Sequence, residues 1–371
     1  MKVLVTGANG FIGKNLVLRL REQAGTEVLT YVRGQDDAAL RDLLAQADAV
    51  VHLAGENRPA DVQAFADVNT GLTERVCQGL KALGQSIPVL LASSAQAERD
   101  NPYGRSKLAA EQAVQALAAE HGNPVAIYRL PGVFGKWCKP NYNSVVATFC
   151  HNKAHDLPVQ IHDASGRVRL VYVDDVINAM LGQLASGWAG VVRPVIEPEY
   201  SITLGELSDQ IDAFKNCRST LVSERVGTGL IRALYATYVS YLPVDKFVYS
   251  VPAHGDVRGV FVEMLKTPET GQFSFFTAHP GITRGGHYHH TKTEKFLVIK
   301  GHARFGFRHM LTNEVHHIET QGDKPQVVET VPGWTHDITN IGNDEMVVML
   351  WANEIFDRER PDTVASKVVA G

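Results

Sequence analysis

The residues MKVLVTGANGFIG (1–13) decide the fold of the N-terminal part of the chain. The apolar run KVLV has the branched composition of a buried strand, and glycines spaced three apart follow it at Gly7, Gly10 and Gly13. A strand that passes through such a turn into a helix is the first element of a doubly wound sheet. Short apolar runs alternate with helical patterns up to about residue 245, which predicts an α/β fold with a parallel sheet.

The glycine-spaced turn predicts a dinucleotide site. Gly7 allows the tight turn, Gly10 lets the backbone approach a diphosphate, and Gly13 lets the helix pack on the strand. The diphosphate then lies at the helix N-terminus, where N–H groups and the helix dipole favour anions. The contacts expected from this turn are Gly7, Asn9, Gly10, Phe11, Ile12 and Gly13.

The end of the second predicted strand, EVLTYV, indicates which dinucleotide binds. A carboxylate at this point holds the ribose hydroxyl of NAD, whereas the 2′-phosphate of NADP needs a cation. Arg33 follows the strand, and Val32 stands where an acid would be expected, which favours NADPH. The alternative is that Arg33 is a solvated loop residue.

A tyrosine and a lysine four residues apart, Tyr103 and Lys107, predict proton-transfer chemistry. A helix that begins at Pro102 puts both side chains on one face. A nearby ammonium lowers the pKa of a phenol, so Tyr103 could exchange a proton with a carbonyl oxygen near neutral pH. Ser94, at the end of the preceding strand, can hydrogen-bond to the same oxygen. We therefore expect Ser94, Tyr103 and Lys107 to be catalytic.

These motifs resemble the extended short-chain dehydrogenase/reductases, a family of nucleotide-sugar epimerases, dehydratases and reductases. The resemblance covers about residues 1–190 and includes the HLAG strand end and the DVNTG stretch. It implies further cofactor contacts at Leu53, Ala54, Gly55 and Asn69, beside Tyr103 and Lys107. It also implies that the diphosphate of a nucleotide sugar is held by Arg129, Asn143, Arg167 and Arg169, each equally plausible as an ordinary salt-bridge partner.

The pattern changes after about residue 245 to strand-like runs separated by Gly, Pro, Asn and Asp, which predicts an all-β domain. We therefore expect an N-terminal domain over 1–245 and a C-terminal domain over 246–371. The second domain contains GITRGGHYHHTKTEKFLVIKG (281–301). Residues two apart in a strand share a face, so His287 and His289 converge, and Glu294 can join them across a turn.

A third histidine, His336, lies in the later stretch PGWTHDITN (332–340). Imidazole and carboxylate ligands suit zinc, iron, manganese or nickel. The ligands we expect for a divalent metal, with Zn²⁺ the expected ion, are His287, His289, Glu294 and His336.

The two stretches resemble the two motifs of the cupin family, with one residue missing between Pro332 and Gly333. The tail NEIFDRERPDT (353–363) is also typical of sugar-nucleotide cupins. Some members of that family use the same pocket without a metal, so a metal-free cupin is the alternative.

The order of an extended reductase followed by a cupin resembles the CapF/WbjC family of bifunctional enzymes over the whole chain. The resemblance implies that the cupin domain epimerises C3 of a UDP-2-acetamido-2,6-dideoxy-hexos-4-ulose, and that the reductase domain then reduces the C4 ketone with NADPH. The product would be UDP-2-acetamido-2,6-dideoxy-L-talose, on the route to UDP-N-acetyl-L-fucosamine for capsule or O-antigen. Tyr288, His290 and Lys295 are candidate bases for the epimerisation.

Two other functions fit the same motifs. A single-function NADPH-dependent nucleotide-sugar 4-reductase could carry a cupin that only binds sugar or mediates dimerisation. Alternatively, the cupin could be a sugar 3,4-ketoisomerase.

The composition limits the classes of binding partner and the cellular compartment that we expect. A net charge of −4, from 36 basic and 40 acidic residues, gives no reason to expect a nucleic-acid or membrane partner. The four cysteines are far apart in sequence, so no disulfide framework is expected. The N-terminal apolar run is too short for a signal peptide. We expect a cytoplasmic homodimer.

Overall fold

The computed structural model describes residues 1–57, 61–256, 259–262, 264–265, 267, 271–354 and 359–369. Contacts between residues divide the chain into two compact units. The first unit comprises Met1–Ser144 and Val168–Ser201, and the second comprises Val145–Arg167 and Ile202–Gly371.

Short strands, most of them parallel, carry the first unit. In chain order they are β1 (Lys2–Thr6), β2 (Glu27–Tyr31), β3 (Ala49–His52), β4 (Val89–Ser94), β5 (Val125–Leu130), β6 (Gly132–Phe134), β7 (Arg167–Tyr172), β8 (Val191–Val192) and β9 (Tyr200–Thr203). Six of them form a parallel sheet in the order β2-β1-β3-β4-β5-β8, and β6-β7-β9 form a smaller sheet. β3 and β4 are buried along their whole length, as expected for strands covered on both faces.

Helices connect these strands and continue into the second unit. They are α1 (Phe11–Arg21), α2 (Asp37–Gln46), α3 (Gln63–Phe65), α4 (Leu72–Ala82), α5 (Pro102–His121), α6 (Val145–Ala154), α7 (Val173–Ser186), α8 (Leu204–Thr220) and α9 (Gly229–Val239). A π-helical segment, Ala66–Gly71, joins α3 to α4, and a 3₁₀ turn, Val244–Lys246, follows α9. Within the described residues, every helix is too short or too polar to span a membrane.

The rest of the second unit is built from antiparallel strands. They are β10 (Val248–Ser250), β11 (Ala253–Asp256), β12 (Gly259–Val262), β13 (Gln272–Ala278), β14 (Thr283–Tyr288), β15 (Glu294–Lys300), β16 (His302–His309), β17 (Val315–Gln321), β18 (Gln326–Glu329), β19 (Trp334–Asn340), β20 (Met346–Ala352) and β21 (Val364–Ala365). Two five-stranded sheets have the orders β10-β18-β15-β20-β13 and β17-β16-β19-β14-β21, and β11 pairs with β12. The predicted fold class is confirmed: a doubly wound parallel sheet is followed by cupin-like antiparallel sheets.

The compact units do not follow the change from α/β to all-β along the chain. α9 ends at Val239 and β10 begins at Val248, close to the predicted boundary at residue 245. Yet α6, α8 and α9 belong to the second unit. One reason is that the phenol of Tyr235 on α9 donates a 3.1 Å hydrogen bond to Glu329 at the end of β18. The division of the chain into domains 1–245 and 246–371 therefore remains a proposal.

Candidate active sites

The turn between β1 and α1 has the geometry that a bound diphosphate needs. Gly7 has φ +69°, and a Cβ there would lie 2.7 Å from the Ala54 nitrogen. A Cβ on Gly13 would lie 2.2 Å from the Gly7 oxygen, so only glycine lets α1 approach this closely. Gly10 caps α1 without a side-chain hydrogen bond, so the N–H groups of the first turn have no side-chain cap. These features fit a dinucleotide diphosphate at the helix N-terminus.

The remaining predicted cofactor contacts lie around this turn. Asn9 and Gly10 are exposed, and Phe11 and Ile12 are partly buried at the start of α1. Leu53, Ala54 and Gly55 directly follow β3, the strand beside β1. Because parallel strands present their carboxyl ends at one edge, these predicted contacts meet at the same edge of the sheet.

Asn69 ties the end of β3 to α5. Its side-chain oxygen accepts from the Glu56 N–H at 2.8 Å, and its amide donates to the Glu56 carbonyl at 3.1 Å and to Ser106 Oγ at 3.0 Å. A Cβ on Gly55 would lie 2.9 Å from Asn69 Oδ1 and 3.2 Å from Lys107 Nζ. The glycine therefore keeps open the space beside the lysine.

A buried hydrogen-bond chain centred on His52 supports the same strand end. Thr73 Oγ1 donates to the Asn69 carbonyl at 2.7 Å, so it accepts from His52 Nε2 at 2.8 Å. His52 Nδ1 then accepts from Thr6 Oγ1 at 2.6 Å, which in turn accepts from the Ala54 N–H at 3.2 Å. Burial, and secondarily Lys107, lowers the pKa of His52 to about 3, which keeps the ring neutral as this chain requires. Sequence reasoning assigned no role to His52.

Tyr103, Lys107 and Ser94 come together as predicted from their spacing. α5 begins at Pro102, and the Asn101 side chain caps it by accepting from the Gly104 N–H at 2.8 Å. Tyr103 and Lys107 are thus one helical turn apart, and Ser94 is the last residue of β4. Ser94 Oγ accepts from the Gln96 N–H at 3.1 Å, and the Ser94 and Tyr103 side chains are hydrogen-bonded.

The pKa shift of Tyr103 differs from the one that the sequence predicts. Burial raises the pKa of Tyr103, and the hydrogen bond with Ser94 only partly opposes it. The expected lowering by Lys107 is not found, and the ammonium instead donates to the Ala92 carbonyl at 3.0 Å. Burial lowers the pKa of Lys107 to about 8, with the Glu111 carboxylate opposing. A buried phenol with a raised pKa remains protonated at neutral pH and suits a proton donor.

Arg33 lies beyond the end of β2 with 86% of its side chain exposed. Its guanidinium lies 2.6 Å from the Glu56 carboxylate, which also accepts from the Tyr142 phenol at 3.1 Å. The arginine therefore has a carboxylate partner at the strand edge, and it would have to exchange that partner to bind a phosphate.

The four residues predicted to hold a sugar diphosphate differ in their surroundings. The Arg129 guanidinium is held by the fully buried Glu111 carboxylate, with Nη2 2.8 Å from Oε2, and it also pairs with Glu98. Hydrogen bonds to these carboxylates raise the pKa of Arg129, so its guanidinium already has two carboxylate partners. Arg169 Nη2 lies 2.8 Å from Glu199, whereas Asn143 and Arg167 are exposed. A diphosphate role for the four residues remains a prediction.

The predicted metal ligands of the second unit converge. The ligand atoms of His287, His289, Glu294 and His336 all lie within 4.8 Å of one another. His287 on β14 is directly opposite His336 on β19 in an antiparallel pair. Glu294 Oε2 lies 3.2 Å from His289 Nε2 and 3.3 Å from His336 Nε2.

The state of these four side chains fits a divalent cation. His336 is buried, and neither ring nitrogen makes an aligned hydrogen bond to the described residues. Burial, and then the two neighbouring histidines, lowers the pKa of His287 to about 3, so its ring is neutral. Burial tends to raise the pKa of Glu294, but the histidines outweigh it and the net shift is well downwards. Neutral imidazoles and an ionised carboxylate are the donors that a metal ion needs.

The three candidate bases for the epimerisation, Tyr288, His290 and Lys295, have different surroundings. Lys295 follows Glu294 in β15, so its side chain points to the opposite sheet face, where Glu329 pairs with its ammonium. It is therefore not a base for chemistry at the cluster. Tyr288 and His290 are both buried, with ring centroids 5.4 Å apart. Lys292, which sequence reasoning missed, has its Nζ 3.5 Å from Oε1 of the candidate ligand Glu294.

Residues 3–193 match the NAD dependent epimerase/dehydratase family. The chain belongs to this family. Its members' name supports a nicotinamide cofactor at the glycine turn of the first unit. Residues 254–364 match the polysaccharide biosynthesis C-terminal domain.

Individual relatives match the whole chain. A UDP-2-acetamido-2,6-beta-L-arabino-hexul-4-ose reductase from Pseudomonas aeruginosa is 56% identical over 100% of both chains. The crystal structure of the capsular polysaccharide assembling protein CapF from Staphylococcus aureus is 39% identical, with a TM-score of 0.66 over 99% of this chain and 100% of that one. The predicted relationship to the CapF/WbjC family is confirmed.

A more distant solved structure is similar in fold over part of the chain. The UDP-glucuronic acid 4-epimerase from Bacillus cereus is 19% identical, with a TM-score of 0.51 over 58% of this chain and 84% of that one.

Proposed function

We propose that the chain is a bifunctional enzyme acting on a UDP-2-acetamido-2,6-dideoxy-hexos-4-ulose. The cupin-like part would epimerise C3, and the N-terminal part would reduce the C4 ketone with NADPH, giving UDP-2-acetamido-2,6-dideoxy-L-talose. The observation that carries the proposal is that one chain holds two separate clusters, Ser94 with Tyr103 in one unit and four convergent metal-type ligands in the other. The name of the Pseudomonas relative supports the reduction of a 4-keto sugar and states no epimerisation.

In the proposed reduction, a side chain of the protein donates the proton. A bound NADPH supplies the hydride. Tyr103 donates its phenolic proton to the carbonyl oxygen, and Ser94 hydrogen-bonds to the same oxygen. Ser94 is oriented for this because its Oγ already accepts from the Gln96 N–H, at 3.1 Å, which leaves its O–H to donate. Lys107, at the side of the space that Gly55 leaves open, supplies positive charge next to the bound cofactor.

The preference for NADPH over NADH rests on Arg33. The residues at the end of β2 are Tyr31, Val32 and Arg33, so the strand end has no carboxylate of its own. Glu56 is the acid nearest to Arg33. A 2′-phosphate would compete with that carboxylate for the exposed guanidinium.

In the epimerisation, the acidity comes from the substrate. A proton on C3 is acidic only while C4 is a ketone, because its removal gives an enolate. A divalent ion held by His287, His289, Glu294 and His336 would act as a Lewis acid on that ketone. Reduction of C4 would then prevent the epimer from reverting, so epimerisation comes before reduction. The resemblance to the CapF/WbjC family implies that this product is an intermediate on the route to UDP-N-acetyl-L-fucosamine.

Product analysis separates this proposal from the two alternatives. The 4-keto UDP-sugar would be incubated in D₂O with and without NADPH, and the products identified by NMR. We expect deuterium at C3 without NADPH, and a C4 alcohol of inverted C3 configuration with it. Reduction without deuterium at C3 would leave a single-function 4-reductase whose cupin binds sugar or mediates dimerisation, whereas a 3-keto product would indicate a 3,4-ketoisomerase. A homodimer remains a prediction that sedimentation analysis can test.

A further inference from the structure

The carboxylate of Asp362 holds the turn that separates two of the candidate metal ligands. It accepts hydrogen bonds from three consecutive backbone N–H groups, those of His290 at 2.9 Å, Thr291 at 2.7 Å and Lys292 at 2.7 Å. The Thr291 hydroxyl donates to the same carboxylate at 3.0 Å. Four donors on one carboxylate favour its ionised form.

This turn connects His289 to Glu294, so its conformation sets the distance between their ligand atoms. The residues on either side of the turn are also held. Thr293 and Asn353 exchange backbone and side-chain hydrogen bonds of 3.0 and 3.1 Å, and the Glu294 N–H donates to Thr330 Oγ1 at 2.9 Å. Without the carboxylate, the three N–H groups would need other partners, and the turn would sample other conformations.

The backbone of Asp362 also orients a ligand directly. Its carbonyl oxygen accepts a hydrogen bond from His289 Nδ1. A carbonyl oxygen can only accept, so Nδ1 carries a proton, and Nε2 is the nitrogen that faces the cluster, 3.2 Å from Glu294 Oε2, where it would ligate a metal ion as the neutral ring. A histidine ligand held through its other nitrogen has a fixed ring orientation.

The residues after Asp362 extend the same support to the other histidines. β21 pairs with β14 so that Ala365 lies opposite His287. The hydroxyl of Thr335, next to His336, donates to the Ser366 carbonyl at 2.7 Å. The segment Asp362–Ser366 therefore contacts two of the four ligand positions, His287 and His289, and also Thr335, the residue before His336.

We propose that Asp362 is a positioning residue for the metal site, acting through the His290–Lys292 turn and through His289. The inference rests on the proposed function, because it requires that the four ligands bind a divalent ion. Outer-sphere partners of metal ligands typically change metal affinity by about 10–100-fold when they are removed. We expect a loss in that range for Asp362→Ala. Asp362→Asn keeps one acceptor oxygen and should fall between that variant and the wild type.

The test is Zn²⁺ affinity, measured on the full chain by competition with a chromophoric chelator, together with the visible absorption spectrum of the Co²⁺-loaded protein. Asp344→Asn is the matched control, because Asp344 is an exposed acid of the same unit. The control should keep wild-type affinity. A changed Co²⁺ spectrum at saturation in the Asp362 variants would support positioning, since a role in folding alone weakens binding without altering the ligand field.

The outcomes separate this inference from the function on which it rests. Wild-type protein that binds no Zn²⁺ would overturn the metal site and this inference together. Wild-type binding with unchanged affinity and spectrum in both Asp362 variants would overturn only the positioning role. The melting temperature of the second unit serves as the folding check for each variant, because Asp362 belongs to that unit. If Asp362→Ala fails that check, the spectrum and affinity of Asp362→Asn decide the matter.

Discussion

Lys295 and Glu329 form an ion pair in the interior of the second unit, with 1% and 4% of their side chains exposed. Lys295 lies on β15, and Glu329 ends the neighbouring strand β18. The same carboxylate pairs with Arg218 of α8 and accepts from the Tyr235 phenol of α9. The pair therefore fastens two helices to the sheet that also carries Glu294.

Because Lys295 and Glu329 are buried, the loss of either partner should destabilise the fold. The attraction to Arg218 and Lys295 lowers the pKa of Glu329 to about 2 against the opposing effect of burial, so the carboxylate is ionised at neutral pH. Removing one member of such a pair leaves an incompletely compensated charge in a low-dielectric interior.

We expect Lys295→Met to lower the free energy of unfolding by about 3 kcal/mol. Glu329→Gln should cost more, because it leaves both Lys295 and Arg218 without their carboxylate. The control is Lys300→Met, an exposed position on the same strand that should change stability by less than about 0.5 kcal/mol. Urea unfolding followed by circular dichroism measures all three. Equal midpoints for Lys295→Met and Lys300→Met would refute the structural role of the pair.

Tyr103→Phe should reduce NADPH oxidation at least about 100-fold, because the proton donor to the ketone oxygen is lost. Deuterium exchange at C3 should continue, since Tyr103 and the histidine cluster belong to different compact units. Spectrophotometry of NADPH and NMR of the sugar give the two rates.

The matched control for that variant is Tyr128→Phe, which also removes a phenol, one that donates to the Ala179 carbonyl at 3.2 Å. It should lower stability and leave the rate of NADPH oxidation near that of the wild type. Loss of both reductase and exchange activities in folded Tyr103→Phe would mean that the two reactions share one site.

Arg33→Ala should weaken NADPH binding by roughly tenfold or more and leave NADH binding nearly unchanged. The reason is that a charge-assisted contact to phosphate contributes about 1.5–3 kcal/mol. Glu56→Gln removes the carboxylate that competes for Arg33, so it should leave NADPH affinity unchanged or strengthen it.

Fluorescence titration with both cofactors measures these affinities. Arg41→Ala, an exposed arginine on α2, is the control for a general loss of positive charge. If the wild type binds NADPH and NADH equally well, Arg33 has no part in cofactor choice.

His289→Ala should lose bound metal and C3 exchange, and it should lower the melting temperature of the second unit. An ion that joins β14, β15 and β19 stabilises only the native state, so its loss removes that contribution. NADPH binding should persist, because the first unit has its own core.

Elemental analysis and calorimetry test this prediction, with the exposed His162→Ala as the control. Stoichiometric metal in the His289 variant would contradict the ligand assignment. So would the absence of metal from wild-type protein prepared without chelators.

Several parts of this protein were readable from the sequence because they depend on neighbours along the chain. The glycine turn after β1, the placement of Tyr103 and Lys107 one turn apart on α5, and the two-residue spacing of His287 and His289 at the end of β14 are each local to one stretch of the chain. Each needs only the backbone geometry of that stretch. The change from α/β to all-β near residue 245 has the same local origin.

Other features were decided by the tertiary structure, because no local periodicity encodes which strands become neighbours. The register of β14 against β19 brings His336 opposite His287. The burial of Tyr103 raises its pKa, although the sequence predicted a lowering by Lys107.

The partner of Lys295 and the hydrogen bonds that support the metal ligands also depend on the tertiary structure. A strand sends Glu294 and Lys295 to opposite faces, and the register of β15 against β18 gives Lys295 its carboxylate partner, Glu329. Asp362 reaches the turn before Glu294 because β21 pairs with β14. The sequence by itself determined which residue types could do the chemistry, and the pairing of distant strands decided which of them meet.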